Sequence, residues 1–115
     1  MGEISELRIP ENMNMAFLAC DQWAESSKRD HPAMLLDDQK ITWGELQSAV
    51  NQVGNALKTM GVKKGNRVLL RSQNCLELYF SILALMKIGA VPVPTSSLFG
   101  AREVQHILDD THAVM

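Results

Sequence analysis

Apolar side chains return at every third or fourth position from Leu46 to Met60: Leu46, Ala49, Val50, Val53, Ala56, Leu57 and Met60. Glu45, Gln47, Ser48, Asn51, Gln52, Asn55 and Lys58 fill the positions between them. That alternation has the period of an α-helix with one face turned to a core. Thr42-Trp43-Gly44-Glu45 marks its start as a capping box, with the Thr hydroxyl on the third helical amide and the Glu reaching back. Gly61 marks its stop, because glycine takes the left-handed conformation at little cost, and Val62 is placed for the accompanying apolar contact.

Upstream, the pattern predicts a first helix and a β-hairpin. Asn14 caps a helix running to about Arg29, with Ala16, Ala19, Cys20, Trp23 and Ser27 on one face. His31-Pro32 closes it, since the residue before proline is pushed out of the helical region. Ala33–Leu36 reads as a strand, Asp37-Asp38-Gln39 as a turn and Lys40–Thr42 as the returning strand. Residues Met1–Met13 contain Pro10 and no clear period, and read as an extended leader.

Downstream, Lys63-Lys64-Gly65-Asn66 turns into a strand, Arg67–Arg71. The next helix, Cys75–Ile88, has eleven apolar or aromatic residues among fourteen, with Glu77, Ser81 and Lys87 on a narrow stripe. Such a helix is covered over most of its surface. Gly89 ends it, and Ala90–Pro94 follows as a strand whose prolines, Pro92 and Pro94, lack amide donors and suit an edge or a strand end. The loop Thr95–Gly100 leads to a helix over Ala101–Asp110, with Val104, Ile107 and Leu108 inward. His112–Met115 begins a further strand. The fold class is therefore α/β: a helix and hairpin leading into a parallel βαβαβ unit over residues 14–115. A chain that stops on a nascent apolar strand exposes an unpaired edge, so truncation on the C-terminal side of a larger domain is expected.

Composition narrows the class. The chain of 115 residues is 46% hydrophobic, enough to bury a core, and its net charge is −2 with both signs interspersed. No basic footprint for nucleic acid is present. Cys20 and Cys75 lie far apart with no CxxC or Cys/His spacing, which reads as reduced, buried thiols of a cytoplasmic protein. The longest apolar run, Leu78–Leu85, falls far short of the roughly 20 residues of a membrane span.

Candidate chemistry is sparse. Gly61–Asn66 has two glycines and two lysines, but it precedes its strand, the wrong side for a phosphate cradle. Thr95–Gly100 does follow a strand and precede a helix, where open α/β sheets bind ligands; it offers hydroxyls but no lysine. It reads either as a ligand-contacting loop or as a plain connection. His31, His106 and His112 show no metal-ligand spacing. Asp37-Asp38 and Asp109-Asp110 fall at turns and helix ends. Trp23, Trp43 and Tyr79 are too sparse for a stacking platform and read as packing residues. No catalytic, cofactor-binding or metal residue is assigned.

Five segments, in order, nevertheless resemble the opening of the adenylate-forming superfamily of acyl- and aryl-CoA ligases, luciferases and peptide-synthetase adenylation domains. Pro32-Ala33-Met34-Leu35 is similar to its opening strand. Ile41-Thr42-Trp43-Gly44-Glu45-Leu46 is similar to the Leu-Thr-Tyr-x-Glu-Leu start of its first long helix. Gly61–Val68 resembles Gly-Val-x-x-Gly-Asp-Arg-Val, with Asn66 in the Asp position. Asn74-Cys75-Leu76-Glu77 resembles the Asn-Ser-x-Glu helix start, and Lys87–Pro94 the strand that closes the unit. The resemblance implies a reaction in which a carboxylate attacks ATP to give an acyl-adenylate and pyrophosphate, and coenzyme A then displaces AMP. It implies ATP, Mg²⁺ and coenzyme A as cofactors of a parent enzyme acting on fatty or aromatic acids. The family's phosphate loop, adenine-binding segments and catalytic lysine belong to later segments, so the 115-residue chain alone is expected to be inactive and, with exposed apolar surface, to self-associate. The alternative is a free-standing, non-catalytic α/β binding or interaction module. A continuing reading frame with a Ser/Thr-Gly-rich loop ending in Pro-Lys would favour the ligase.

Overall fold

The computed structural model describes residues 14–115; the leader expected over residues 1–13 lies outside the described residues. A first helical segment, α1, has π geometry over Phe17–Asp21 and α geometry over Gln22–Ala24. It is followed by β1 (Pro32–Leu36), β2 (Gln39–Thr42), α2 (Trp43–Thr59), β3 (Arg67–Arg71), α3 (Leu76–Lys87), β4 (Val91–Thr95) and α4 (Ala101–Thr111).

Asn14 does start α1, its Oδ1 accepting from the Ala16 amide at 2.8 Å. The helix stops at Ala24, short of the expected Arg29. Ser26 is the reason: its Oγ donates to the Trp23 carbonyl at 2.7 Å and accepts from the Lys28 amide at 3.1 Å, giving the backbone partners outside the helix. Arg29 then donates from Nη1 to the Ala24 carbonyl at 3.1 Å. The expected face also changes. The wider π turn brings Cys20 and Asp21 inward together with Ala16 and Ala24, while Ala19 and Ser27 are exposed.

β1 and β2 pair antiparallel, with Leu36 opposite Gln39 and Leu35 opposite Lys40. Asp37 turns the corner at φ 52°, a left-handed conformation that Asp tolerates better than most residues. The capping box of α2 forms as expected: the Glu45 amide donates to Thr42 Oγ1 and the Thr42 amide to Glu45 Oε1, both at 3.2 Å. Its buried face runs through Leu46, Val50 and Gly54, with Val53 and Leu57 half-buried; Ala56 and Met60 are exposed. Gly54 is buried because it faces the end of α3, where a Cβ would meet Ile88 and Ala84 in ordinary van der Waals contact.

α3 sits between two clusters. Its Ala84 joins Cys20, Leu46 and Val50, with Met34, Ile41, Trp43 and Phe80 at the margin. Its Leu85 joins Val62, Val68 and Ala90, with Leu70 and Ile88. The hairpin, α1 and α2 therefore lie on one side of α3 and the sheet on the other. Glu77 is the sole exposed residue of α3, Leu76, Ala84 and Leu85 are buried, and the rest of the helix is half-buried, so its cover is partial.

β3 and β4 pair in parallel, Val68 beside Pro92 and Leu70 beside Pro94. On β3's other edge the Val114 amide donates to the Arg67 carbonyl at 2.9 Å, and the Leu69 amide to the Met115 carbonyl at 2.8 Å. The expected third strand thus begins against β3. Alternation places Pro92 and Pro94 on the outer edge of β4, where no amide is needed.

One buried polar cluster ties the layers together. Asp21 is the one buried polar residue among those described. Its Oδ2 lies 2.9 Å from Lys87 Nζ, and its Oδ1 accepts from Lys87 Nζ at 3.0 Å and from Gln47 Nε2 at 3.1 Å. Lys87 Nζ also donates to Asn51 Oδ1 at 2.6 Å. Asn14 Nδ2 donates to the carbonyls of Met86 and Lys87 at 3.1 and 3.0 Å, satisfying acceptors left open at the end of α3.

Candidate functional site

The carboxyl ends of parallel strands are where open α/β sheets hold ligands. Here that end carries a cleft of about 560 Å³ between residues 72–74 and the loop after β4. Ser72, Gln73, Asn74, Thr95, Ser96 and Ser97 give it a hydroxyl and amide lining, and Leu78, Pro94, Leu98 and Phe99 its apolar surface. Leu98 is 91% exposed.

The loop Thr95–Gly100 is held in place by its surroundings. Arg71, the last residue of β3, donates from Nη2 to the carbonyls of Phe99 at 2.6 Å and Ser97 at 3.1 Å. Thr95 Oγ1 donates to the Leu70 carbonyl at 3.1 Å, and Ser96 Oγ accepts the Leu98 amide at 3.1 Å. Among the described residues no ionisable side chain lines the cleft, and the neighbouring guanidinium of Arg71 is engaged by two carbonyls. The arrangement suits neutral hydrogen-bonding and apolar groups. It does not fit a triphosphate, which needs converging cations or a Gly-rich nest of amides.

The other sequence candidates fall elsewhere. Gly61–Asn66 lies at the amino end of the sheet and closes on itself, with the Lys63 amide on Asn66 Oδ1 at 2.8 Å and the Asn66 amide on the Lys63 carbonyl at 3.0 Å. His112 ends α4 in a left-handed conformation, and His106 lines a separate groove beside Phe99. Asp109 accepts from Gln105 Nε2 at 2.9 Å. Among the described residues, no three His, Cys, Asp or Glu side chains cluster as metal ligands. Trp23 and Trp43 pack together with ring centroids 6.1 Å apart, and Lys28 Nζ lies 5.1 Å from the centre of the Trp23 ring. Both cysteines are free. Burial pushes the Cys20 thiol up to about 11, the Asp21 carboxylate adding to the rise and Lys87 opposing it. That thiol is a packing residue, not a nucleophile.

The Asp21–Lys87–Asn51–Gln47 cluster is not legible in the sequence. Its one sequence signal is Lys87, a lone cation closing an otherwise apolar helix; its partners come from two other helices.

Residues 20–115 match the family model described as AMP-binding enzyme. The chain belongs to that family. Among curated members of the AMP-binding enzymes, the 3-hydroxybenzoate–CoA/4-hydroxybenzoate–CoA ligase of Thauera aromatica is 33% identical over 106 residues, covering 92% of this chain and 20% of the relative. The acetyl-coenzyme A synthetase of Bacillus subtilis (strain 168) is 34% identical over 106 residues, covering 88% and 18%. Among solved AMP-binding enzymes, the anthranilate CoA ligase AuaEII in complex with anthranoyl-AMP superposes with a TM-score of 0.82 at 28% identity, covering 91% of this chain and 20% of that one. The chain spans about a fifth of the length of these relatives. No helix among the described residues is long and apolar enough to cross a membrane.

Proposed function

We propose that these residues form the opening part of the N-terminal domain of a cytoplasmic, ATP-dependent acid–CoA ligase. The enzyme joins a carboxylic acid to AMP, with release of pyrophosphate, and passes the acyl group to coenzyme A. ATP, Mg²⁺ and coenzyme A are its cofactors. Residues 1–13 are its leader. The supporting observation is the fold shared with AuaEII, a ligase solved with an acyl-adenylate, over 91% of this chain. Relatives that act on hydroxybenzoate and on acetate are 33% and 34% identical to this chain, so these residues carry little of the choice of acid. The described residues fit neither the triphosphate nor its metal ion, and no chemical step is assigned to them. Their part is to scaffold the sheet and to present a neutral cleft at its carboxyl end.

The test grafts residues 20–115 onto the Thauera aromatica ligase in place of its matching segment and measures thioester formation with 3-hydroxybenzoate. The chimera should fold and form the thioester. One that unfolds with a native-like thermal transition, yet makes neither adenylate nor thioester, overturns the reading. Mg-ATP titrated into the 115-residue chain should give no saturable heat; a micromolar isotherm would refute the scaffold role.

A further inference from the structure

The cleft at the carboxyl end of the sheet has two walls, and one residue is tied to both. Ser72–Asn74 follow directly on Arg71, the last residue of β3, and Ser97–Phe99 line the cleft from the loop after β4. Arg71 stands beside Thr95 in the strand register. From there its Nη2 donates to the Ser97 carbonyl at 3.1 Å and to the Phe99 carbonyl at 2.6 Å.

Packing does not hold the second wall. Ser96, Leu98, Phe99 and Gly100 are exposed, and Thr95 and Ser97 are only half-buried. The loop's own bonds are local: the Phe99 amide donates to the Ser96 carbonyl at 3.2 Å and the Leu98 amide to Ser96 Oγ at 3.1 Å. Thr95 Oγ1 ties its first residue to the Leu70 carbonyl. Among the described residues, Arg71 is the sole side chain outside the loop that hydrogen-bonds to it, and it grips the far half. A segment with few buried contacts opens cheaply, and bonds from a charged donor are the stronger kind. The spacing of the two walls therefore depends on this guanidinium.

Among the substrates of the proposed ligase, the cleft suits one. ATP would need converging cations for its triphosphate, and the lining has none. The acid is a poor match, because relatives named for hydroxybenzoate and for acetate are 33% and 34% identical to this chain. Both relatives are named for coenzyme A, whose thiol ends an uncharged, amide-linked arm. Hydroxyl and amide side chains can hydrogen-bond such an arm, and Leu78 and Pro94 offer apolar surface to its methylene segments.

We propose that Arg71 is a positioning residue for the thiol half of the reaction: by holding the Ser97 and Phe99 carbonyls it keeps the cleft open to the arm of coenzyme A. It acts through the loop, its guanidinium being engaged by the two carbonyls. The inference rests on the ligase reading.

The chimera that carries residues 20–115 within the Thauera aromatica ligase tests it, because its two half-reactions can be read separately. Pyrophosphate exchange into ATP with 3-hydroxybenzoate reports the adenylate, and thioester formation at varied coenzyme A reports the thiol step. Arg71 is exposed, so Arg71→Met should leave the thermal transition and the pyrophosphate exchange unchanged. It should raise KM for coenzyme A about tenfold, the effect of a displaced contact, and speed hydrogen exchange of the Leu98 and Phe99 amides. Arg71→Lys keeps a cation able to donate to both carbonyls and should recover most of the KM. Arg67→Met, at the other end of β3, should change none of these. A KM for coenzyme A that Arg71→Met leaves unmoved, an equal fall in pyrophosphate exchange, unaltered loop amides, or no recovery in Arg71→Lys would each overturn the proposal while the ligase reading stood. A parent chimera that makes neither adenylate nor thioester would sink the ligase reading, and this inference with it.

Discussion

Replacing Lys87 with Met isolates what the buried polar cluster contributes. Met keeps much of the stem's apolar contact but removes the ammonium that Asp21 meets with both oxygens and Asn51 with one. Asp21 would retain a single partner, Gln47 Nε2. Breaking a fully buried pair costs about 3–5 kcal/mol, whereas exposed pairs are worth about 0–1 kcal/mol. The Asp21 side chain is 11% exposed and that of Lys87 31%, so this pair lies nearer the buried limit with some solvent screening. We expect Lys87→Met to cost about 2–3 kcal/mol. Asp21→Asn should cost less, about 1–2 kcal/mol, because the freed ammonium can reach water. Asp21→Leu combined with Lys87→Met leaves no unpaired charge and should come within about 1 kcal/mol of the parent. Urea unfolding followed by Trp23 and Trp43 fluorescence reads these differences. At slopes of roughly 1–3 kcal/mol/M, Lys87→Met lowers the midpoint by about 0.7–3 M. An unmoved midpoint, or a double variant less stable than Lys87→Met, would refute the assignment of a desolvated, mutually dependent pair.

The remaining predictions concern two glycines and a thiol. Gly54→Ala should stabilise the fold by about 0.5–1 kcal/mol, because the new Cβ would meet Ile88 Cγ2 at 3.6 Å and Ala84 Cβ at 4.0 Å, ordinary contacts. Gly89→Ala should destabilise it by about 1–2 kcal/mol, since Gly89 holds φ +82° and a Cβ there would lie 2.9 Å from Lys64 Cγ; equal midpoints for the two variants would refute both. Cys20 titrates near 11 when folded against 9.0 for the free thiol. The unfolded chain therefore releases this proton first. The stabilising effect is full below pH 9 and is lost as pH rises through about 11. Unfolding free energies of the parent should fall more steeply than those of Cys20→Ala across that window, and parallel pH profiles would show that burial does not hold the thiol protonated.

Local signals are legible in the sequence where they are self-contained. The α2 capping box, the Asp37 turn, the stops at Gly61 and Gly89 and the order of strands and helices after Arg67 each depend on a few adjacent residues, and the structure has them where the sequence places them. Two expectations failed because their cause lies elsewhere in the chain. The buried face of α2 turns to Gly54 because α3 crosses there, which the spacing of Ala56 and Met60 does not reveal. The face of α1 shifts because Asp21 must reach Lys87, a residue far along the sequence, and the π turn brings both Cys20 and Asp21 inward. The cleft was half visible: Thr95–Gly100 has the right place in a βα unit, but its opposing wall and the role of Arg71 emerge only once β3 and β4 pair.

That distribution of contacts makes the two ends of α3 unequal. Its C-terminal end is fixed by side-chain bonds from α1 and α2: Asn14 on the last carbonyls, Asp21 and Asn51 on Lys87. Its N-terminal end, which faces the cleft, begins at Cys75 without a side-chain cap. The polar groups around it are short hydroxyls and amides, and one of them, Ser72, makes a bond within its own segment, to the Gln73 carbonyl at 2.9 Å. Opening a protein locally costs least where few buried contacts and side-chain bonds must be broken. The helix is thus held by side-chain bonds from α1 and α2 at the amino end of the sheet, while its first turn at the carboxyl end has no side-chain cap. An α/β ligand site needs that combination: a rigid element to set position, and an unspent terminus at which amides and hydroxyls can still accept a partner.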